Sequence, residues 1–208
     1  DGADVSVSVE GERATIKSGR SRFTLATLPA ADFPKVENAD SDVVVTLPQK
    51  QIGKLIDQVS FAMAQQDVRV FLNGMLLEVG DNSIRAVATD GHRLAMASKP
   101  CETSGPAEGV KQAIVPRKAV VEMGRLLDEE EEDLSIQLGS NHLKVTKGSV
   151  TLTTKLVDGQ FPDYEKVVPK DASRVLHGDR NTLKEGFHRA SILSAEKYRG
   201  VRVAISPD

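Results

Sequence analysis

Cysteine is nearly absent from this sequence: Cys101 is the single one among 208 residues. One thiol excludes an internal disulfide framework and a cysteine-based zinc site. Its polar surroundings mark it as an incidental thiol, and a reducing cytoplasm fits. Tryptophan is absent and aromatic residues make up only 4%, too few to interleave with basic residues as a stacking platform for single-stranded nucleic acid. No apolar run approaches the roughly 20 residues that cross a bilayer, and no signal-peptide pattern is present. An initiator methionine is lacking, and the first residues look like a strand, so the chain is expected to be a piece of something longer. An excess of positive charge is missing too. The net charge is −3, so any affinity for nucleic acid has to come from where the charges sit.

What is present is repetition. Gly11 to Pro34 reads GERATIKSGRSRFTLATLPAADFP, and Gly139 to Pro162 reads GSNHLKVTKGSVTLTTKLVDGQFP. Gly11 falls on Gly139, Leu28 on Leu156, and Phe33-Pro34 on Phe161-Pro162, an offset near 128 residues. Both segments alternate apolar and polar residues, break at a turn and alternate again, which predicts β-hairpins. A second echo is Thr46-Leu47-Pro48 leading into QKQIGKLIDQVSFAMA, where Ile52, Leu55, Ile56 and Val59 share one helical face. About 68 residues on, Val115-Pro116 leads into RKAVVEMGRLLD, with Val120, Met123 and Leu127 on a similar face. DRNTLKEGFHRA carries Leu183, Phe187 and Ala190 at matching spacing. Helices are therefore expected at 48–61, 116–127 and 179–190, with Pro48 and Pro116 near helix starts, where a missing N–H costs nothing.

Strands are expected at 42–47, 68–79 with a turn inside, 83–89, 93–99, 112–115, 134–139, 142–147 and 150–157. Asp81-Asn82 and Ser140-Asn141 suit hairpin turns. The repeating unit is strand, helix, then antiparallel strands, and two units build one domain. The fold class is α+β. Expected boundaries are the end of one domain at 1–45, a complete domain at 46–163, a linker at 164–173 and the start of a third domain at 174–208. Weak order is expected in 100–111 and in the acidic run 128–133, which is most simply a solvated loop.

Asp90, His92 and Asp163 invite a hydrolase or metal-enzyme interpretation. Asp90-Gly91-His92 has no nucleophile in a recognisable elbow, and no second histidine stands at metal spacing. His142, His177 and His188 are scattered. No catalytic residue, metal or cofactor is assigned.

The stretches SGRSRFTLATLPAADFP, QDVRVFLNGMLLEV, VATDGHRLA, IVPRKAVVEM, TTKLVDGQFPDY and ILSAEKYRGVRV resemble, in order and spacing, the bacterial DNA sliding clamp family, the beta subunit of DNA polymerase III. The resemblance covers nearly the whole chain. It implies a clamp fold with helices on one face of curved sheets, and a three-domain subunit that dimerises head-to-tail into a ring around duplex DNA. It also implies a non-catalytic processivity role in the bacterial cytoplasm, away from membranes. Partners would be double-stranded DNA, contacted without regard to sequence, and polymerase subunits, the clamp loader and repair proteins that dock through short peptide motifs.

Carried over residue by residue, the resemblance implies a partner-peptide pocket of Leu72, Thr89, Gly91, His92, Arg93, Leu94, Pro162, Lys166 and Val167. The chemistry suits an apolar pocket with a few placed polar groups. Lys166 stands where relatives often carry Arg, which keeps the charge and loses the planar fork. Gln66, Arg69, Lys118 and Arg125 would face DNA. Phe23, Leu25, Ile192 and Leu193 would meet across the subunit boundary. Because the outer domains are cut, the chain is expected to be mainly monomeric or irregularly associated in solution. Charge placement agrees with a DNA-facing role: the three predicted helices carry +1, +2 and +1, leaving −7 for everything else. Backbone contacts from such residues carry no sequence information and weaken with salt, as a sliding protein requires.

Overall fold

Alternation and helical spacing carry through into backbone at most positions. The computed structural model describes residues 2–33, 41–80, 82–105, 109–128, 132–170, 173–194 and 200–205. They divide into two compact units, Asp1–Phe161 and Pro162–Asp208.

The first unit opens with three antiparallel strands, β1 (Ser6–Glu10), β2 (Arg13–Ser18) and β3 (Ser21–Ala26). Then comes β4 (Ser41–Pro48), which runs directly into α1 (Gln49–Val59), followed by β5 (Gly74–Gly80), β6 (Ser83–Thr89) and β7 (Leu94–Pro100). After a short β8 (Glu102–Ser104), the pattern recurs as β9 (Lys111–Pro116), α2 (Arg117–Leu126), β10 (Asp133–Gly139), β11 (His142–Lys147) and β12 (Val150–Lys155). Pro48 and Pro116 each end a strand and stand one residue before a helix, at φ −56° and −58°. The expected β2–β3 echo of β11–β12 is present, each hairpin turning on a glycine at positive φ, Gly19 and Gly148.

The two repeats exchange their leading strands. β4 pairs with β10 of the second repeat, Pro48 lying opposite Asp133, while β9 pairs with β5 of the first, Pro116 opposite Gly74. The sheets are therefore β12-β11-β10-β4-β8 and β7-β6-β5-β9, antiparallel throughout. One continuous core results. It takes Val43, Val45 and Leu47 from β4, Leu134, Ile136 and Leu138 from β10, and Met75, Leu77 and Val79 from β5. Ile52, Leu55, Ile56 and Val59 of α1 and Ala119, Val120 and Met123 of α2 join the same cluster. Each fully buried aliphatic side chain contributes about 1.5–3 kcal/mol, so the apolar stripes hold both helices on the sheets.

Gly74 marks the tightest point of the exchange. A Cβ there would lie 2.6 Å from the Val115 carbonyl oxygen and 2.9 Å from Ile114 Cγ2. The Gly74→Ala variant should lose about 1–3 kcal/mol or more of stability through this clash, measured by urea denaturation. An unchanged midpoint would show that β9 can move away at no cost.

Three expectations need correction. Residues 68–73 are not strand: Val70–Leu72 is a single 3-10 turn and β5 begins at Gly74. The cause is a side-chain clasp, in which Asp67 N donates to Asn73 Oδ1 (2.9 Å) and Asn73 Nδ2 donates to the Asp67 carbonyl (2.8 Å). Such local bonds compete with a ladder. The segment 100–111 is not loop throughout, because Glu102–Ser104 pairs with β4 and Lys111 opens β9. Its residues 106–108 lie outside the described residues, as do 129–131 of the acidic run and Asp81 of the expected turn. Asn82, the other residue of that turn, has φ +54°, a conformation asparagine tolerates. Last, the 179–190 helix, observed as α3 (Arg180–Ile192), buries none of its residues, and Leu183 and Phe187 are exposed. Asp179 caps it, accepting bonds from Thr182 N (2.8 Å) and Oγ1 (3.0 Å). The backbone N–H of Thr182 is the main reason the Asp179 carboxyl lies below its ordinary range.

Candidate functional site

α1 and α2 lie against one another. Gly124 of α2 faces Ile56, where a Cβ would make an ordinary contact at 3.8 Å with Cγ2. With their apolar stripes in the core, the helices leave Lys54, Lys118 and Arg125 exposed. Arg125 Nη1 donates to Glu122 Oε1 at 2.8 Å, so part of its charge is answered within the helix. Among the described residues Lys118 forms no ion pair. Arg117, buried in part, donates its backbone N–H to the Asn73 carbonyl at 2.9 Å and so ties the start of α2 to the loop before β5.

That loop holds the other two residues expected to face DNA. Gln66 is exposed at φ +60°, an uncommon conformation for a residue with a side chain. Arg69 is gripped by Asp67. Its Nε donates to Asp67 Oδ1 (2.9 Å), its Nη2 to Oδ2 (2.8 Å), and its backbone N–H to Oδ1 (2.8 Å). These bonds, the side-chain ones first, hold the Asp67 carboxyl at about 2 instead of 3.8, with the nearby His92 adding a little. Because this pKa is depressed on folding, the pair's stabilisation is complete above about pH 3.8 and disappears as pH falls through about 2. Carboxylate NMR should give Asp67 a midpoint near 2, and Arg69→Ala should return it toward the ordinary value. A normal midpoint in the wild type would mean that the pair does not form in solution.

The turn from β6 to β7 carries most of the expected pocket. Asp90 Oδ1 accepts from the backbone N–H groups of His92 (2.9 Å) and Arg93 (3.0 Å), and Oδ2 accepts from Arg93 Nε (3.1 Å). The Arg93 backbone bond is the foremost cause of the lowered Asp90 pKa. Gly91 N donates to Thr89 Oγ1 (3.1 Å), which donates to the Arg93 carbonyl (2.7 Å). The Arg93 guanidinium lies over the Phe61 ring, 5.4 Å from its centroid. Gly91, at φ +89°, faces Arg69. His92 is exposed, Leu94 half-buried and Leu72 only 2% exposed, so Leu72 belongs to the foundation of this surface. Asp90 is thus spent on shaping a turn, and among the described residues no group of His, Cys, Asp and Glu could hold a metal.

Pro162, Lys166 and Val167 fall in the second unit, each exposed. Lys166 Nζ pairs with Asp163 Oδ2 at 2.8 Å, and this bond is the main cause of the lowered Asp163 pKa. The residues expected at the subunit boundary are exposed as well: Phe23 and Leu25 on β3, Ile192 at the end of α3 and Leu193 just beyond it. Cys101 is half-buried against the core, and desolvation raises its thiol pKa, which disfavours the reactive thiolate. Asp67, Asn73 and Phe61 went unnoticed in the sequence. The Asp-x-Arg spacing of 67 and 69 was a visible signal; the Asn73 and Phe61 contacts had none.

Residues 46–163 match the model of the DNA polymerase III beta subunit, central domain, and residues 1–37 that of its N-terminal domain. The chain belongs to the DNA polymerase III beta-subunit family. Within that family it is 50% identical to the beta sliding clamp of Pseudomonas aeruginosa over 202 residues, which are 97% of this chain and 54% of that protein. It is also 50% identical to the beta sliding clamp of Escherichia coli (strain K12) over 206 residues, 99% of this chain and 56% of that protein. The crystal structure of the DNA polymerase III subunit beta from Pseudomonas aeruginosa matches with a TM-score of 0.85, covering 93% of this chain and 52% of that one. The chain spans about half the length of the beta-subunit relatives it matches. Among the described residues no helix is long and apolar enough to cross a membrane.

Proposed function

We propose that this chain is part of a bacterial DNA sliding clamp, comprising the end of a first domain, a complete middle domain at 46–163 and the start of a third. The whole protein encircles duplex DNA as a ring-shaped homodimer in the cytoplasm, with the replisome at the nucleoid. It is a non-catalytic processivity subunit, and recruits polymerase subunits, the clamp loader and repair proteins. The observation that carries this reading is the pair of adjoining helices α1 and α2, whose outward side offers Lys54, Lys118 and Arg125 in a chain of net charge −3. Lys and Arg on rigid helices give weak contacts to phosphates that permit sliding.

Partner docking rests on Thr89, Gly91, His92, Arg93 and Leu94 at the turn from β6 to β7 with Leu72 near it in the first unit, and the family resemblance adds Pro162, Lys166 and Val167. Phe23 and Leu25 would meet Ile192 and Leu193 of another copy, since exposed apolar side chains at these places favour association. The test is titration of a fluorescein-labelled peptide from the tail of a replicative DNA polymerase against this chain and its Leu94→Asp variant. Leu72 is unsuitable for a charge, because burial would unfold its loop. Saturable binding that the folded variant loses supports the pocket. Equal binding by both proteins would remove Leu94 from it. If neither binds, the same titration with the missing third-domain sequence restored tells an incomplete pocket from a wrong assignment.

A further inference from the structure

The loop of Arg69 and the turn of Gly91 meet through the Arg69 guanidinium. A Cβ on Gly91 would have as its three nearest heavy atoms Arg69 Nη2 (3.2 Å), Nη1 (3.4 Å) and Cζ (3.7 Å). The guanidinium is therefore the cover on the side of Gly91 where other residues carry a side chain. The Nη2 that lies nearest is also the nitrogen held by Asp67 Oδ2 at 2.8 Å. Asp67 is fastened in turn to Asn73, and Asn73 to Arg117 at the head of α2. The cover's position is thus set by one half-buried carboxylate on a braced loop, while 51% of the Arg69 side chain is open to solvent.

We infer that Asp67 is a positioning residue that parks Arg69 over Gly91, and that a DNA phosphate which takes the guanidinium from Asp67 uncovers Gly91 for a partner peptide. This rests on the proposed clamp function, and adds to it a linkage between its two surfaces. A phosphate that takes the Nε and Nη2 edge of the guanidinium competes with the Asp67 carboxylate for the same N–H groups, and two anions brought together at that edge repel. When Nη2 moves, the backbone at Gly91 becomes open to close approach, as a glycine in a binding turn permits. DNA and peptide then each favour the state in which Arg69 has left, so each tightens the other by the same factor. Exposed ion pairs of this kind are weak, which limits the effect to roughly 1.4- to 5-fold in Kd.

The test uses this chain as wild type, Asp67→Asn and Arg69→Ala at low ionic strength, with circular dichroism to verify folding. The first readout is the Gly91 amide resonance. A short DNA duplex should shift it in the wild type, Asp67→Asn should shift it the same way without DNA, and Arg69→Ala should make it insensitive to duplex. A Gly91 amide alike in all three proteins overturns the cover. The second readout is the Kd of the labelled polymerase-tail peptide. Duplex, Asp67→Asn and Arg69→Ala should each tighten it about 1.4- to 5-fold, with no further gain from duplex in Arg69→Ala. Looser binding in the variants, or a duplex effect that survives in Arg69→Ala, sinks the linkage while the clamp function stands. If the wild-type chain binds neither ligand, the same two readouts are taken in the protein restored to full length, where absence of binding overturns the clamp function and the linkage together, and binding of both ligands without the Arg69-dependent coupling overturns the linkage alone.

Discussion

Ile136→Ala lowers the stability of the first unit by about 2–5 kcal/mol, and does so for both sheets at once. Ile136 is 2% exposed on β10, the middle strand of the five-stranded sheet, opposite Val45 of β4 and Val145 of β11. Removing its outer carbons leaves a void that β-sheet neighbours cannot close without breaking ladder bonds, so the cavity cost adds to the lost burial. The loss spreads because the leading strands are exchanged. β4 enters the five-stranded sheet from the first repeat, and β9 enters the other sheet from the second. Neither repeat can keep its sheet while the other unfolds. Amide hydrogen exchange checks this: the slowest amides of β6 and β11 should lose the same free energy. If β6 keeps its wild-type protection, the repeats are independent folding units and the exchange has no cooperative consequence.

Neutralising the helices should weaken DNA binding in a way that salt reveals. In the protein restored to full length, Lys118→Ala should reduce the slope of log K against log salt by about 0.9, the value of one phosphate contact. Affinity at roughly 0.1 M salt should fall about eightfold relative to the change at 1 M salt. Arg125→Ala should do less, since Glu122 already occupies part of its guanidinium at 2.8 Å. Loss should be uniform across DNA sequences, because phosphate contacts do not read bases. Binding with an unaltered salt slope in a protein carrying both Lys118→Ala and Arg125→Ala would remove α2 from the DNA-facing surface and favour a purely structural repeat.

Several residues were legible in the sequence because their effects are local. The stripes Ile52, Leu55, Ile56, Val59 and Val120, Met123 mark helices that bury those side chains. Pro48 and Pro116 mark the strand-to-helix joints, and alternation marks β4, β6 and β9 to within a residue or two. Residues 68–73 misled because Val68, Val70, Phe71 and Leu72 resemble a strand, whereas the Asn73 side chain closes the segment into a loop by bonding both the N–H and the carbonyl of the Asp67 backbone. The candidate site was expected as positions, implied by the family resemblance, with no arrangement among them. Leu72 was expected as a pocket wall and is 2% exposed, a burial that its sequence neighbours do not reveal.

Sequence alone determined what nearest neighbours along the chain decide: the type of most elements, the two-fold repetition and the sign of charge on each helix. These follow from backbone sterics and from periods of two and 3.6 residues, which need no knowledge of distant partners. Tertiary structure alone decided which strands pair, placing β4 beside β10 and β9 beside β5. An antiparallel strand with one buried face can pair with any equally apolar edge, so alternation does not name its partner. The meeting of Arg69 with Gly91, 22 residues later in the chain, is of the same kind. Only when both loops are anchored to one core do a charge on one and a missing side chain on the other become a single contact.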